Sequence, residues 1–138
     1  MNDYKSFLSE FNSNEPCQDI KSHIEKIEEI FNIKLPEDYI SFMEQRNGGE
    51  GFVGENYLGI YQIEEIIKAN EDYEVEKYIP GLLLIGSNLG GEAFALDFRI
   101  GKTNYIMIPF MFDEEDIIVL SQNIEGFMFK LYNDELFD

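Results

Sequence analysis

The stretch Leu82-Leu83-Leu84-Ile85-Gly86-Ser87-Asn88-Leu89-Gly90-Gly91-Glu92-Ala93-Phe94-Ala95-Leu96-Asp97-Phe98 decides how the rest of the chain is read. Leu82 to Ile85 is a short, unbroken apolar run, as expected of a strand covered on both faces. Ser87 to Gly91 is rich in turn residues. From Ala93 onward the chain alternates: Phe94, Leu96 and Phe98 face one way, and Ala93, Ala95 and Asp97 the other. A period of two argues a strand. Two strands joined by a tight turn make an antiparallel pair, because a parallel pair needs a long crossover. The same reading weakens a phosphate site at Gly86 to Gly91. The segment lacks the Lys-Ser/Thr of a P-loop and the spacing of a dinucleotide fingerprint. A strand follows it, so no helix N-terminus would point at a phosphate.

Downstream, Arg99 to Asn104, with Gly101, reads as a hairpin connection. Tyr105 to Phe110 reads as a strand that Pro109 makes an edge or a terminating one. Ile117 to Leu120 is a further short strand. Ser121 is placed to cap a last helix whose apolar side is Ile124, Phe127, Met128 and Leu131. Upstream, Pro80-Gly81 is a turn. Ile63, Ile66 and Ile67 suggest a helix over 62–70, with the acidic stretch to Lys77 as its potential extension. Tyr57 to Tyr61 is a strand. Gly48, Gly49, Gly51 and Gly54 make a flexible loop carrying Glu50 and Glu55.

The first third reads as helices. Tyr4, Phe7, Leu8 and Phe11 fall at i, i+3, i+4, i+7, so 3–12 is a short helix. Ile20, Ile24, Ile27 and Phe31 give a second over 17–31. Pro36 suits a first helical turn, and Glu37 and Asp38 favour a helix N-terminus. Tyr39, Ile40, Phe42 and Met43 are the buried side of that third helix, and Asn47-Gly48-Gly49 stops it. Helices, then a mainly antiparallel sheet, then a closing C-terminal helix argue α+β rather than alternating α/β. The 138 residues carry no repeat or linker, so the expectation is a single domain over residues 1–138.

Composition narrows the function. Lys and Arg number 10 against 28 Asp and Glu, a formal net charge of -18. A binder of nucleic-acid backbones needs a basic face, and anionic membranes repel such a surface. Direct nucleic-acid and membrane partners are therefore not expected. Large like charge argues for a monomer. The start Met-Asn-Asp-Tyr has no basic n-region or apolar h-region. A lone cysteine, Cys17, cannot form an internal disulfide. Together these predict a cytoplasmic protein.

Candidate catalytic and metal sites are sparse. The one histidine, His23, lies in the second helix beside Ile24, where a boundary side chain is the simpler reading. Cys17 has only Lys21 as a nearby base, and no second cysteine to resolve an oxidised form. One His and one Cys cannot build a usual zinc site, and the patterned calcium loop is absent. No nucleophile, base and orienting acid can be named together. The expectation is no enzyme activity, no catalytic residues, no metal and no cofactor. What stands out is acid. Glu71, Asp72, Glu74 and Glu76 form one cluster and Asp113, Glu114, Glu115 and Asp116 another, while Asp134, Glu135 and Asp138 crowd the tail. From Asp113 onward there are eight acids and one base, Lys130. Such charge serves solubility, or it is a docking face for a basic partner.

Three segments together resemble a known family. Leu35-Pro36-Glu37-Asp38-Tyr39 with Phe42 resembles the helix opening of the SUKH superfamily, and Asn47-Gly48-Gly49 follows at the matching distance. Ile85-Gly86 and Gly91-Glu92-Ala93-Phe94-Ala95-Leu96-Asp97 resemble its strand pair. The branch is named for a fungal cell-wall-synthesis regulator, and most bacterial members are immunity proteins. The matching positions read as fold-makers: Leu35, Pro36, Tyr39, Asn47 and Gly48 start, bury and stop a helix. Gly86 and Gly91 shape a turn, and Asp97 marks the wetter face of its strand. The resemblance implies a protein that binds a cognate polymorphic toxin, often a nuclease, and blocks it stoichiometrically. Nuclease surfaces are basic, so the acidic clusters 71–76 and 113–116 are the expected contributors to the docking face. A regulatory or scaffold module on the same fold is the alternative.

Overall fold

In a computed structural model, residues 4–136 are described. Seven strands form one sheet in the order of the chain, and every neighbouring pair is antiparallel. They are β1 (Phe11–Ser13), β2 (Gly49–Val53), β3 (Asn56–Ile60), β4 (Leu82–Ser87), β5 (Glu92–Asp97), β6 (Asn104–Pro109) and β7 (Ile118–Ser121). The helices are α1 (Ile20–Phe31), α2 (Glu37–Arg46), α3 (Ile66–Asp72), α4 (Val75–Tyr78) and α5 (Ile124–Tyr132). The fold class is α+β with a closing helix, as the sequence order predicts.

One sheet face carries the main core. Ile27, Tyr39, Phe42, Met43, Phe94, Leu96, Tyr105, Phe127 and Met128 all meet there. The opposite face carries a smaller core, in which Val75 and Ile79 pack on Leu82, Leu84, Ala93, Ala95, Ile106 and Ile108 with Phe112. Both sides of β4, β5 and β6 are therefore dry, and their inner residues are buried throughout.

Helix ends follow local chemistry. Asn32 and Asn47 end α1 and α2 in the left-handed conformation, at φ 55 and φ 48, which asparagine tolerates better than most residues. Pro36 stands at the start of α2, with Glu37 and Asp38 in its first turn. The buried Asn47 side chain then joins three segments. Its Nδ2 donates to the Glu15 carbonyl at 3.1 Å and to Glu64 Oε1 at 2.9 Å, and its Oδ1 accepts from the Ile63 amide at 2.9 Å.

Several expectations are corrected. The apolar pattern over 3–12 is not one helix. Tyr4–Leu8 is a 3-10 turn and Phe11 opens β1, so Phe11 reaches the core from a strand; the expected first position, Asp3, lies outside the described residues. The glycine-rich segment after α2 is strand β2 rather than a loop. A Cβ on Gly49 or Gly51 would strike the carbonyl oxygen of Asn12 or Glu10. These glycines allow β1 to come close, a use of glycine within strands. The helix expected over 62–70 is a 3-10 turn, Ile63–Glu65, followed by α3, and it does not run on to Lys77. Glu74, at φ 53, breaks it, and the break aims Val75 and Ile79 at the smaller core.

At the C-terminal side, β6 lies between β5 and β7, so Pro109 terminates it and does not mark an edge. Asn123 caps α5 by accepting from the Gly126 amide at 2.7 Å, whereas Ser121 Oγ accepts from Asn123 N at 3.2 Å. Gly86 sits inside β4, where the register with β5 shifts, and not in a turn. Asp97 is buried, not wet. Its carboxylate accepts from the Arg99 amide, Nε and Nη2, each at 3.0 Å.

Candidate functional site

The two predicted acidic clusters lie on segments that share the smaller core. Glu71 and Asp72 end α3, Glu74 is the break, Glu76 is in α4, and Asp113 caps a 3-10 turn over Glu114–Asp116. Aromatic packing ties the two segments together. Tyr73 stacks on Phe110 at 4.8 Å and meets Phe112 edge-on at 6.4 Å. Three of the eight acids already have bases: Asp72 pairs with Lys68 at 3.0 Å, Glu74 with Lys77 at 3.8 Å, and Glu114 with Arg99 at 3.5 Å. Exposed pairs of this kind contribute about 0–1 kcal/mol, so a partner's base displaces them at little cost.

The acids do not converge on one cleft. Glu71 and Asp72 open onto a groove of about 500 Å³ shared with His23 and Lys26 of α1. Glu76 lines a different groove, of about 440 Å³, with Phe31, Lys34 and Phe98. Asp113 is spent locally, accepting from the Glu115 amide at 3.0 Å. Among the tail acids, Asp138 lies outside the described residues.

A more coherent surface lies where the smaller core stops. β3 and β4 pair only through Gly59–Ser87 and Ile60–Gly86. The Tyr61 amide still donates to the Ile85 carbonyl at 3.0 Å; beyond it the chain turns away and α3 fills the notch. The buried Asn70 side chain completes the β4 edge there, donating to the Leu84 carbonyl at 3.0 Å and accepting from the Leu84 amide at 2.8 Å. On the β1–β3 side of the notch the sheet face opposite the main core is open. Register puts Asn12 beside Glu50, Glu50 beside Gly59, and Phe52 beside Tyr57 on that face. Phe52 and Tyr57 meet edge-on at 5.0 Å, and the Tyr57 hydroxyl donates to Glu50 Oε2 at 2.7 Å. That hydrogen bond raises the Tyr57 pKa. A groove of about 260 Å³ follows, lined by Glu50, Gly59, Tyr61, Glu65, Ser87 and Leu89. Tyr61 and Glu65 also line the next hollow, of about 350 Å³, which ends at Asp72 and Tyr73.

None of Glu50, Phe52, Tyr57, Tyr61, Glu65 or Leu89 is a residue that the sequence singles out. The glycines of β2 hide its alternation. The one available signal is a leucine, Leu89, among turn residues.

The nucleophile candidates stay unpromising in three dimensions. Burial pushes the Cys17 thiol up, and Glu64 adds to the shift. A raised thiol pKa keeps sulfur protonated and poorly nucleophilic. Burial also acts to raise Glu64, but hydrogen bonds from Asn47 and Cys17 and the nearby His23 outweigh it and hold the carboxyl below its ordinary value. Among the described residues no three His, Cys, Asp or Glu side chains gather as a metal site. No described helix is long and apolar enough to cross a membrane.

The capped α2, the antiparallel β4–β5 pair and the closing α5 are features that the SUKH superfamily resemblance implies. The chain belongs to that superfamily: its sequence matches the SMI1 / KNR4 family (SUKH-1) over residues 20–130. It is also similar to the "Uncharacterized protein YnaB" of Bacillus subtilis (strain 168), 32% identical over 105 residues, which cover 74% of this chain and 68% of that protein. SUKH members are often immunity proteins.

Proposed function

We propose that this chain is an immunity protein. It binds a cognate bacterial polymorphic toxin, a basic nuclease, and neutralises it by stoichiometric inhibition through its acidic surface. It acts in the cytoplasm as a monomeric single domain and catalyses nothing itself. The observation that carries this reading is family membership together with a net charge of -18. A nuclease must attract a polyanion, so its substrate surface is the natural target of an acidic protein. Complementary charge speeds encounter, to as much as about 10⁸–10⁹ M⁻¹s⁻¹ at low salt.

The test is capture followed by co-expression. The tagged chain is used to capture proteins from its native cells, and each stoichiometric partner is then expressed alone and with the chain. A basic partner that is toxic alone and silent in co-expression supports immunity. Partners without toxicity at any salt concentration would transfer the case to a regulatory or scaffold module.

A further inference from the structure

The second sheet face is dry over β4 to β6 and bare over β1 to β3. Apolar side chains on the bare part are large and wet: Phe52 is 47% exposed and Leu89 61%. They are also held in place. Tyr57 is fixed between Phe52 and Glu50. Leu89 lies over Gly59, where an added Cβ would come 3.6 Å from Leu89 Cδ2. Leu89 holds φ 60, a left-handed conformation that a bulky residue rarely adopts. Ser87 Oγ accepts from the Leu89 amide at 3.1 Å, and Asn88 Oδ1 accepts from the Gly90 and Glu92 amides at 2.8 and 3.1 Å. The turn is thus built to present a leucine to solvent.

We propose that this bare half of the sheet is the docking face for a basic protein, with Phe52, Tyr57 and Leu89 as apolar anchors and Glu50 and Glu65 as acceptors for arginine. Aromatic anchors ringed by polar groups are the usual anatomy of an energetically dominant interface centre. Charge complementarity favours a basic occupant. Glu50, Glu65 and Asp72 edge the surface, and the lysine among them, Lys68, is paired with Asp72. A second copy of this chain would bring another -18 against the first. A standard partner footprint of about 800 Å² would take roughly a tenth of the 7875 Å² surface. The basic nature of the occupant rests on the immunity reading above; the position of the face does not.

The experiment titrates the isotope-labelled chain with a short synthetic peptide of alternating arginine and tyrosine and follows its backbone amides. Shifts are expected at Asn12, Glu50, Phe52, Tyr57, Gly59 and Leu89. Phe52→Ala is expected to weaken binding roughly tenfold or more. Leu89→Asn relieves the backbone, because asparagine accepts positive φ. It should hold or raise the melting temperature while weakening binding, a pair of signs that a merely structural role would not give. Shifts confined to Glu71–Glu76 and Asp113–Asp116, no shifts up to millimolar peptide, undiminished binding by folded Phe52→Ala, or dimerisation through this face would each overturn the proposal. The two readings fail separately. A captured toxin still neutralised by Phe52→Ala sinks the docking face alone. A face that binds the peptide in a chain that protects no cell sinks the immunity reading alone.

Discussion

Asp38, in the first turn of α2, accepts a hydrogen bond from the Tyr105 hydroxyl of β6 at 2.9 Å. Its other carboxylate oxygen accepts from the amide of Ile124, the first residue of α5, at 2.7 Å. One side chain therefore ties together α2, strand β6, which lies one strand in from the sheet edge, and the closing helix. A carboxylate at a helix N-terminus is favourable through the dipole as well as the hydrogen bond.

Asp38→Ala should lower stability by about 3 kcal/mol, because it leaves a buried hydroxyl and a helix amide without their charged acceptor. Urea unfolding measures this. In a double-mutant cycle, Tyr105→Phe should cost less once Asp38 is alanine. Simple additivity of the two changes would show that the contact carries no coupling.

Tyr39 makes the opposite case. Its hydroxyl is buried and finds no hydrogen-bond partner among the described residues. Tyr39→Phe should be neutral or stabilising by up to about 1 kcal/mol, whereas Tyr105→Phe should destabilise. Thermal unfolding of the two single variants separates them. A clear loss in Tyr39→Phe would show that the hydroxyl has a partner in solution.

Burial also raises the pKa of both tyrosines above their ordinary value of 10; for Tyr105 the Asp38 charge and hydrogen bond add to it. Because the folded-state values are the higher ones, the stability they contribute is complete below pH 10. It is lost as pH rises from there towards the folded-state values. Unfolding free energy should then fall by up to about 2.7 kcal/mol per pH unit for the two groups together. Replacing both by phenylalanine should flatten that alkaline limb. An unchanged slope would mean that other groups set it.

Gly86, in β4, and Gly91, just before β5, should behave differently. A Cβ on Gly86 would collide with the Gly59 carbonyl oxygen, a backbone atom, at the point where β3 joins β4. Gly86→Ala should cost about 3 kcal/mol or more. Nothing lies within 4 Å of a Cβ on Gly91, so Gly91→Ala should stay within about 0.5 kcal/mol of wild type. Chemical denaturation of both variants compares them directly.

Reversing the charges of Glu71, Asp72, Glu74 and Glu76 together with Asp113 to Asp116 should slow association with a basic partner. It should also flatten the dependence of the on-rate on salt, with a smaller effect on dissociation. Stopped-flow association over a range of ionic strength is the measurement. An unchanged on-rate would remove the clusters from the steering field.

Local rules made much of this protein legible from its residues. Pro36, Tyr39, Phe42 and Asn47-Gly48 specify α2 by start, burial and stop. Alternation over Ala93 to Phe98 specifies β5, and the order of elements specifies α+β. These are signals within a few residues, where φ/ψ preference and periodicity act. The acidic clusters were visible as charge, but their dispersal over separate grooves was not. Tertiary structure alone decided the rest. Gly49 and Gly51 read as loop because flexibility is their local property, yet β1 needs their missing side chains. Asp38 reads as a favourable helix-start residue until folding brings Tyr105 and Ile124, 67 and 86 residues away, to its two oxygens. Phe52, Tyr57 and Leu89 read as ordinary apolar residues. Only the limited reach of α3 and α4 across the sheet leaves Phe52 and Leu89 in water and Tyr57 partly so, because exposure depends on what packs overhead and not on the residue itself.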